Sequence, residues 1–336
     1  ISGLIIVVPD NINEEGIADT LELIQHHANN LKEATQSDPK LLVSISKMGG
    51  TFGIDTDTDF NPESAAIGGF IKTADKEWTN VICRSIDVDG ASQKMVDELN
   101  GIVDQLFYTS PLETCIQGNQ ALSINLLSTE GATKNPTGKK LPKLGETIVI
   151  SGGARGITAE IAVELASEFG TNLLLLGRSS LPDDEPQWLS GITKEKDITQ
   201  AIIQNSDSKL TPKEVKAKAS DIHCAREIRL TLEKIRAQKV NVQYLPLDIR
   251  DTEQVKQALE TARRELGPIV GIVHGAGVLA DRLLEDKTRE QFSNVYSTKV
   301  SGFKSLLAAS RDDNLKVLLT FSSTTARFGR KGQSDY

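Results

Sequence analysis

Cysteine is scarce: Cys83, Cys115 and Cys224 are the only three in 336 residues, and no two stand at C-x-x-C spacing. An odd number of distant thiols excludes a disulfide framework and a cysteine zinc site, and fits a reducing, cytoplasmic setting. Positive charge is also short, with 38 basic against 46 acidic residues and a net charge of −8. That sign excludes nucleic acid as the main partner. No apolar run approaches the roughly 20 residues of a membrane helix, and the first one, Leu4 to Val8, stops at Pro9. We therefore expect no membrane span. The first basic residue is Lys32, so the start lacks the charged n-region of a secretory signal. The four histidines include one, His274, with no histidine or carboxylate partner at metal spacing, and we expect no metal. Aromatic residues supply only 4%, yet 38% of the chain is hydrophobic and 25% charged, enough for a buried core. A chain of this length implies about two domains.

Short β-branched runs alternate with amphipathic stretches, the pattern of βα repetition around a parallel sheet. In the first half, strands are predicted at Leu4–Val8, Leu41–Ile45, Val81–Ile86 and Leu122–Leu127, with helices at 16–34, 62–78 and 93–106. Residues 131–145 are rich in Gly, Pro, Thr and Lys and read as a linker between a domain at 1–130 and another at 146–336. In the second, strands are predicted at 147–150, 173–176, 242–247, 269–274 and 317–322, with helices at 157–169, 252–266 and 291–310. The polar, proline-divided stretch at about 180–220 reads as an insertion with its own helices. One of these starts at Thr211-Pro212-Lys213-Glu214, a capping box with proline at the first helical position.

The strand at 147–150 runs through Gly152, Gly153, Ala154, Arg155, Gly156 and Ile157 into a helix. A dinucleotide's pyrophosphate needs backbone N–H groups and a helix N-terminus aimed at it, which such a turn supplies. The spacing is G-G-x-x-G, and a tight ligand-free βα turn is the alternative. The next strand ends at Arg178-Ser179, where an arginine accommodates the 2′-phosphate of NADP in place of the acid that holds NAD. The third ends at Asp248-Ile249, a carboxylate where adenine would lie. The fourth ends at His274-Gly275-Ala276-Gly277, small residues against which a nicotinamide would pack. The Lys47-Met48-Gly49-Gly50-Thr51-Phe52-Gly53 loop reads as a turn rather than a phosphate site, and Pro9-Asp10-Asn11 offers no glycine cradle.

These segments, with Lys299, Phe321-Ser322-Ser323 and Gly332-Gln333-Ser334-Asp335-Tyr336, resemble the ketoreductase domain of polyketide and polyunsaturated-fatty-acid synthases, within the short-chain dehydrogenase/reductases. Ser323 and Tyr336 stand thirteen residues apart, as in that family's serine and tyrosine pair. The resemblance covers 146–336 strongly. Residues 69–87 look more loosely like the non-catalytic structural subdomain that precedes it, and the insertion looks most like the polyunsaturated-fatty-acid branch. The resemblance implies an α/β protein of two Rossmann-like subdomains with parallel sheets, the second a dinucleotide-binding fold cut short at its C-terminal end. It also implies NADPH as cofactor, and a 3-ketoacyl thioester on an acyl carrier protein as substrate, within a multidomain synthase.

On that reading Tyr336 is the proton donor, Lys299 the cation that lowers its pKa and holds the ribose, and Ser323 the hydroxyl that polarises the ketone. A free tyrosine, with pKa about 10, needs such a cation for acid catalysis near neutral pH. Leu279 and Asp281 match part of the Leu-Asp-Asp signature of ketoreductases that form the D product, and Phe328 stands where the opposite class has tryptophan. Thr158 replaces the last glycine of the family's turn, and the family's asparagine four residues beyond the tyrosine lies past the last residue. We therefore expect a piece of a longer chain that begins mid-domain. A silent ketoreductase-like module and a stand-alone dehydrogenase of a small alcohol are the alternatives. Eight basic residues against four acidic ones between Lys213 and Lys239, Arg226 and Arg229 among them, offer either a solvated helix face or a dock for an acidic carrier protein.

Overall fold

The computed structural model describes residues 3–54, 59–90, 95–107, 110–118, 120–128, 141–182, 184–206 and 209–336. The chain forms two compact units, one of Ile1–Thr133 with Val278–Ser297 and Ser322–Tyr336, the other of Lys134–Gly277 with Thr298–Phe321. Most of the predicted linker, 131–140, lies outside the described residues.

In the first unit, β1 (Gly3–Val7), β2 (Lys40–Ser46), β3 (Val81–Val88) and β4 (Glu113–Gln117) pair in parallel in chain order, and β5 (Gln120–Leu122) closes the edge antiparallel. Helix α1 (Glu14–Lys32) is capped by Asn13, whose side chain accepts from the Gly16 N–H. Its apolar spacing buries Ile17, Leu21, Ile24, Ala28 and Leu31. A 3₁₀ turn at Pro62–Ala65 leads into α2 (Ala66–Glu77), and α3 (Met95–Phe107) precedes β4. The strand expected at Leu122–Leu127 is not one beyond Leu122: residues 123–128 are irregular, and Leu126 and Leu127 are exposed. Its place is taken by β4, whose sequence holds only Cys115 and Ile116 as apolar residues. Pairing with β3 makes it a strand, an effect of tertiary context that local patterning does not carry.

The second unit contains β6 (Thr147–Ser151), α4 (Gly156–Phe169), β7 (Asn172–Gly177), α5 (Glu195–Gln204), α6 (Pro212–Arg236), β8 (Val242–Pro246), α7 (Thr252–Glu265) and β9 (Ile269–His274). Its remaining elements are α9 (Gly302–Ala309) and β10 (Val317–Thr320). The predicted helix 291–310 is three pieces: α8 (Arg289–Tyr296) in the first unit, a π-helical turn at Ser297–Ser301, and α9. The all-parallel sheet runs β10-β9-β6-β7-β8. Ile148, Ile150, Leu173 and Leu175 pack with α4 and α6, while Val149, Leu174 and Leu176 pack with α7 and α9. Alternation along each strand thus buries both faces, as a doubly wound sheet requires. The order reverses between β6 and β9, and in such sheets ligands bind beyond the strand ends at that point.

The insertion has a small core of its own, with Leu189, Ile198, Ile202, Val215 and Ala219 buried together. The capping box at Thr211 is present, with Glu214 bonded back to the Thr211 N–H. Arg226 fastens this lobe. Its guanidinium bonds Glu185 at 2.6 and 3.0 Å and donates to the Ile192 and Leu189 carbonyls. Arg229 donates to the Pro182 carbonyl at 2.7 Å. Both arginines therefore hold the insertion, which weakens the case for them as a docking face. Arg226→Ala should cost roughly 1–3 kcal/mol through the lost charged hydrogen bonds and raise hydrogen exchange across 185–204. Arg226→Lys should not restore it, because an ammonium lacks the planar fork.

Candidate functional site

The glycine-rich turn follows β6 at the reversal point, and the loop after β9 comes down against it. Gly152 has φ +71°, and a Cβ there would lie 2.9 Å from the Ala276 nitrogen, so only glycine allows the two loops to approach. Gly275 N–H bonds the Ser151 carbonyl at 2.9 Å and Ala276 N–H reaches the Ser151 hydroxyl at 3.3 Å. Gly153 packs over Ile150, and Ala154 belongs to the core beneath. Helix α4 then begins without a side-chain cap: Arg155 at its N-cap bonds Glu227 instead. Its first N–H groups are thus left to water or a ligand. Gly156 has φ +59° with open space where a side chain would be, and Ile157 is 77% exposed. Thr158, at the position where the resemblance expects the turn's last glycine, points the other way. It is buried against Gly275, where a Cβ would stand 2.5 Å from its hydroxyl.

Arg178 is exposed at the end of β7, and the Ser179 carbonyl accepts from the Tyr244 hydroxyl at 2.6 Å. Asp248 is engaged by Arg250, which donates from its backbone N–H and from two guanidinium nitrogens. That bonding holds the Asp248 carboxyl below its usual range, with Arg178 adding to the effect. Arg250 is not among the residues expected at the site. Two guanidiniums around one strand-end carboxylate only become visible once β7 and β8 are paired. Ile249 turns its side chain into the core under Gly302 of α9, so only its backbone faces the strand ends.

His274 is buried, with Nδ1 2.7 Å from the Ser151 hydroxyl, Nε2 3.0 Å from the Lys299 carbonyl, and its ring stacked on Phe303. It is a strut between β6, β9 and the π-helical turn. Lys299 sits on that turn, its Nζ donating to the Phe321 carbonyl just past β10 at 3.1 Å. A Cβ on Gly277 would fall 2.9 Å from the lysine's Cε, so the glycine gives the side chain its path. Burial lowers the Lys299 pKa.

Ser323 and Tyr336 belong to the first unit. Ser323 is exposed and caps the short helix α10 (Thr324–Phe328), its hydroxyl oxygen accepting from the Thr325 N–H at 3.1 Å. Its O–H remains able to donate. Tyr336 closes a turn in which its N–H bonds the Gln333 carbonyl at 3.2 Å, and the Gln333 amide bonds the Asp281 carboxylate. Leu279 and Phe328 are both exposed. In this unit's own sheet, the Lys47–Gly53 loop aims the N–H groups of Met48, Thr51 and Phe52 at the buried Asp87 carboxylate, at 2.6 to 2.9 Å. The donors that could cradle a phosphate are spent on the protein's own carboxylate. No group of three or more metal-ligating side chains occurs among the described residues.

Burial and the neighbouring Lys299 charge push the His274 pKa from 6.5 down to about 4. The unfolded chain therefore takes up a proton that the folded one refuses. This residue's share of stability is complete above pH 6.5 and is lost as the pH falls toward 4, up to about 3 kcal/mol. Urea unfolding at pH 7, 5 and 4 should show a slope across that window that is shallower in His274→Asn.

A sequence model of the KR domain family matches residues 146–336, more than half of the chain. Over 314 residues the chain is 32% identical to one component of the polyunsaturated fatty acid synthase of Thraustochytrium sp., covering 88% of this chain and 11% of that protein. It is 25% identical over 246 residues to polyketide synthase PksM of Bacillus subtilis, covering 73% of this chain and 5% of the other. The chain thus spans a small part of the length of these relatives. Among solved structures, a ketoreductase domain from the bacillaene assembly line aligns with TM-score 0.64 at 21% identity, covering 96% of this chain and 63% of the other. An A1-type ketoreductase aligns with TM-score 0.69 at 21% identity, covering 96% and 56%. At that identity the two structures speak for the fold alone. The family match and the relatives together assign the chain to the KR domains, the ketoreductase domains of polyketide and polyunsaturated-fatty-acid synthases.

Proposed function

We propose that the chain binds NADPH at the reversal point of its second sheet and reduces 3-ketoacyl thioesters carried on an acyl carrier protein to D-3-hydroxyacyl thioesters. It does so as one domain of a cytoplasmic fatty-acid or polyketide synthase. The observation that carries this reading is the meeting of the β6 and β9 loops beside the uncapped start of α4. Gly152 there permits main-chain approach, and open space stands before Gly156. These features fit a dinucleotide. Backbone N–H groups of residues 152–157 would hold its pyrophosphate, and the α4 dipole would favour the negative charge. Arg178 would pair with the 2′-phosphate beside Arg250 and Asp248, and Gly275, Ala276 and Gly277 would lie under the nicotinamide end. When bound, the cofactor supplies the hydride that reduces the ketone.

The chain's own residues orient the substrate and move the proton. Tyr336 gives its phenolic proton to the carbonyl oxygen, Ser323 donates a hydrogen bond to that oxygen, and Lys299 is the cation of the set, holding the ribose. His274, neutral near pH 7, fixes the backbone of the Lys299 turn. Asp281, tied to Gln333, supports the D assignment through the family resemblance. Cys83, Cys115 and Cys224 are free and buried, which fits a reducing compartment. No helix among the described residues is long and apolar enough to cross a membrane.

In the full-length protein, NADPH oxidation with a short 3-ketoacyl thioester should exceed NADH oxidation. Arg178→Ala should raise the KM for NADPH roughly 10- to 100-fold and leave NADH kinetics nearly unchanged, the loss expected of one charged hydrogen-bonded pair. Tyr336→Phe should lower kcat by about 10²- to 10⁴-fold while NADPH still binds. Wild-type turnover by Tyr336→Phe would overturn the reading, and chiral chromatography of the product tests the D assignment.

A further inference from the structure

The turn that ends in Tyr336 is anchored by an ion pair to which the ketoreductase reading gives no part. Lys287, just before α8, and Asp335 have side chains 0% and 2% exposed and are bonded Nζ to Oδ2. Lys287 also donates to the Ala280 carbonyl at 2.7 Å. It is among the largest fully buried side chains of the protein. Two apolar side chains of similar volume would fill that space with no charge to desolvate, so stability alone gives weak reason for an ionic pair there. What an ammonium and a carboxylate supply is direction: a fixed distance and angle between named atoms.

Further bonds hold the same turn and the segment that carries Lys287. Arg282 N–H bonds the Gly332 carbonyl at 2.9 Å. The Glu77 carboxylate, at the end of α2, accepts from the Leu284 N–H at 2.7 Å and the Gly332 N–H at 2.8 Å. On the other side, the Gln25 amide donates to the Leu284 and Lys287 carbonyls at 2.8 and 2.7 Å. Residues 332 and 333 are thus held through backbone and amide bonds, and residue 335 through Lys287. Tyr336 follows directly on that last anchor.

We propose that Lys287 is a positioning residue which, through Asp335, sets the place from which Tyr336 delivers its proton. Glu77 and Gln25 of the first unit brace the two segments that the pair joins. The inference rests on the reading of Tyr336 as proton donor. It does not require Lys287 to touch substrate or cofactor.

The test uses the full-length protein with Lys287→Met, Asp335→Asn, the double variant Lys287→Met/Asp335→Leu, and Tyr336→Phe. Each single variant of the pair leaves a buried partner uncompensated and should lower Tm. The double variant removes both charges and should regain Tm. Its kcat should nonetheless fall by about 100-fold, the scale of a misplacement near 1 Å, with thioester KM and NADPH Kd within about twofold of wild type. A structural role alone would return kcat together with Tm. A double variant with wild-type kcat therefore overturns the proposal. Should the double variant not fold, Asp335→Asn assayed at a temperature where circular dichroism shows it folded decides instead, and wild-type kcat there overturns it equally. If Tyr336→Phe turns over normally, the proton-donor reading itself has failed, which is a different outcome from an inactive Tyr336→Phe beside a fully active double variant.

Discussion

The close approach of two loops at the reversal point of the second sheet is the constraint on which the rest of that unit depends. β6 and β9 are parallel neighbours with Ser151 opposite His274, and their chains must leave the sheet side by side. Gly152 against Ala276, and Gly275 against Thr158, let them do so without side chains between. The Ser151 hydroxyl then serves both the Ala276 N–H and the His274 ring, and the ring's other nitrogen reaches the Lys299 turn. One serine side chain thereby links the turn after β6, the loop after β9 and, through His274, the turn that carries Lys299. A bulky residue at 152 or 275 would separate all three.

The first unit also sets parallel strands side by side, but its strand-end loop is bonded differently. Its carboxyl-end loop closes the N–H groups of Met48, Thr51 and Phe52 on the Asp87 carboxylate. Burial raises the Asp87 pKa, and the three backbone donors oppose that shift. The useful edge of this unit lies instead around α2. Glu113 accepts from Lys72 and from Arg327, and Glu77 bonds the backbone at 284 and 332. Through these carboxylates, a sheet that offers no dinucleotide cradle holds the segments that carry Ser323 and Tyr336.

The insertion shows how charge counted along a sequence differs from charge available on a surface. The excess of basic residues on α6 includes Arg226, bound to Glu185 and two carbonyls, Arg229, bound to a carbonyl, and Lys234, bound to Glu160. These side chains shape and fasten the lobe. Composition records the ions but not their partners, because the partners stand far away in sequence.

The sequence by itself determined the α/β alternation in both halves of the chain, the glycine turn between β6 and α4, the arginine after β7 and the serine to tyrosine spacing, but not that residues 278–297 and 322–336 cluster with the first unit. Those features are local: apolar periodicity, turn chemistry and capping act over a few residues, as the Thr211 capping box and the buried stripe of α1 illustrate. Tertiary structure alone decided β4, whose two apolar residues become a strand only beside β3. It likewise decided the break of the predicted helix 291–310 by a π-helical turn at Lys299, the influence of Arg178 on Asp248 across β7 and β8, and the burial of Lys287 against Asp335. Each of these rests on a partner remote in sequence or on the crowding of a packed interior, where the free energy of a charge or a strand depends on what surrounds it rather than on its neighbours along the chain.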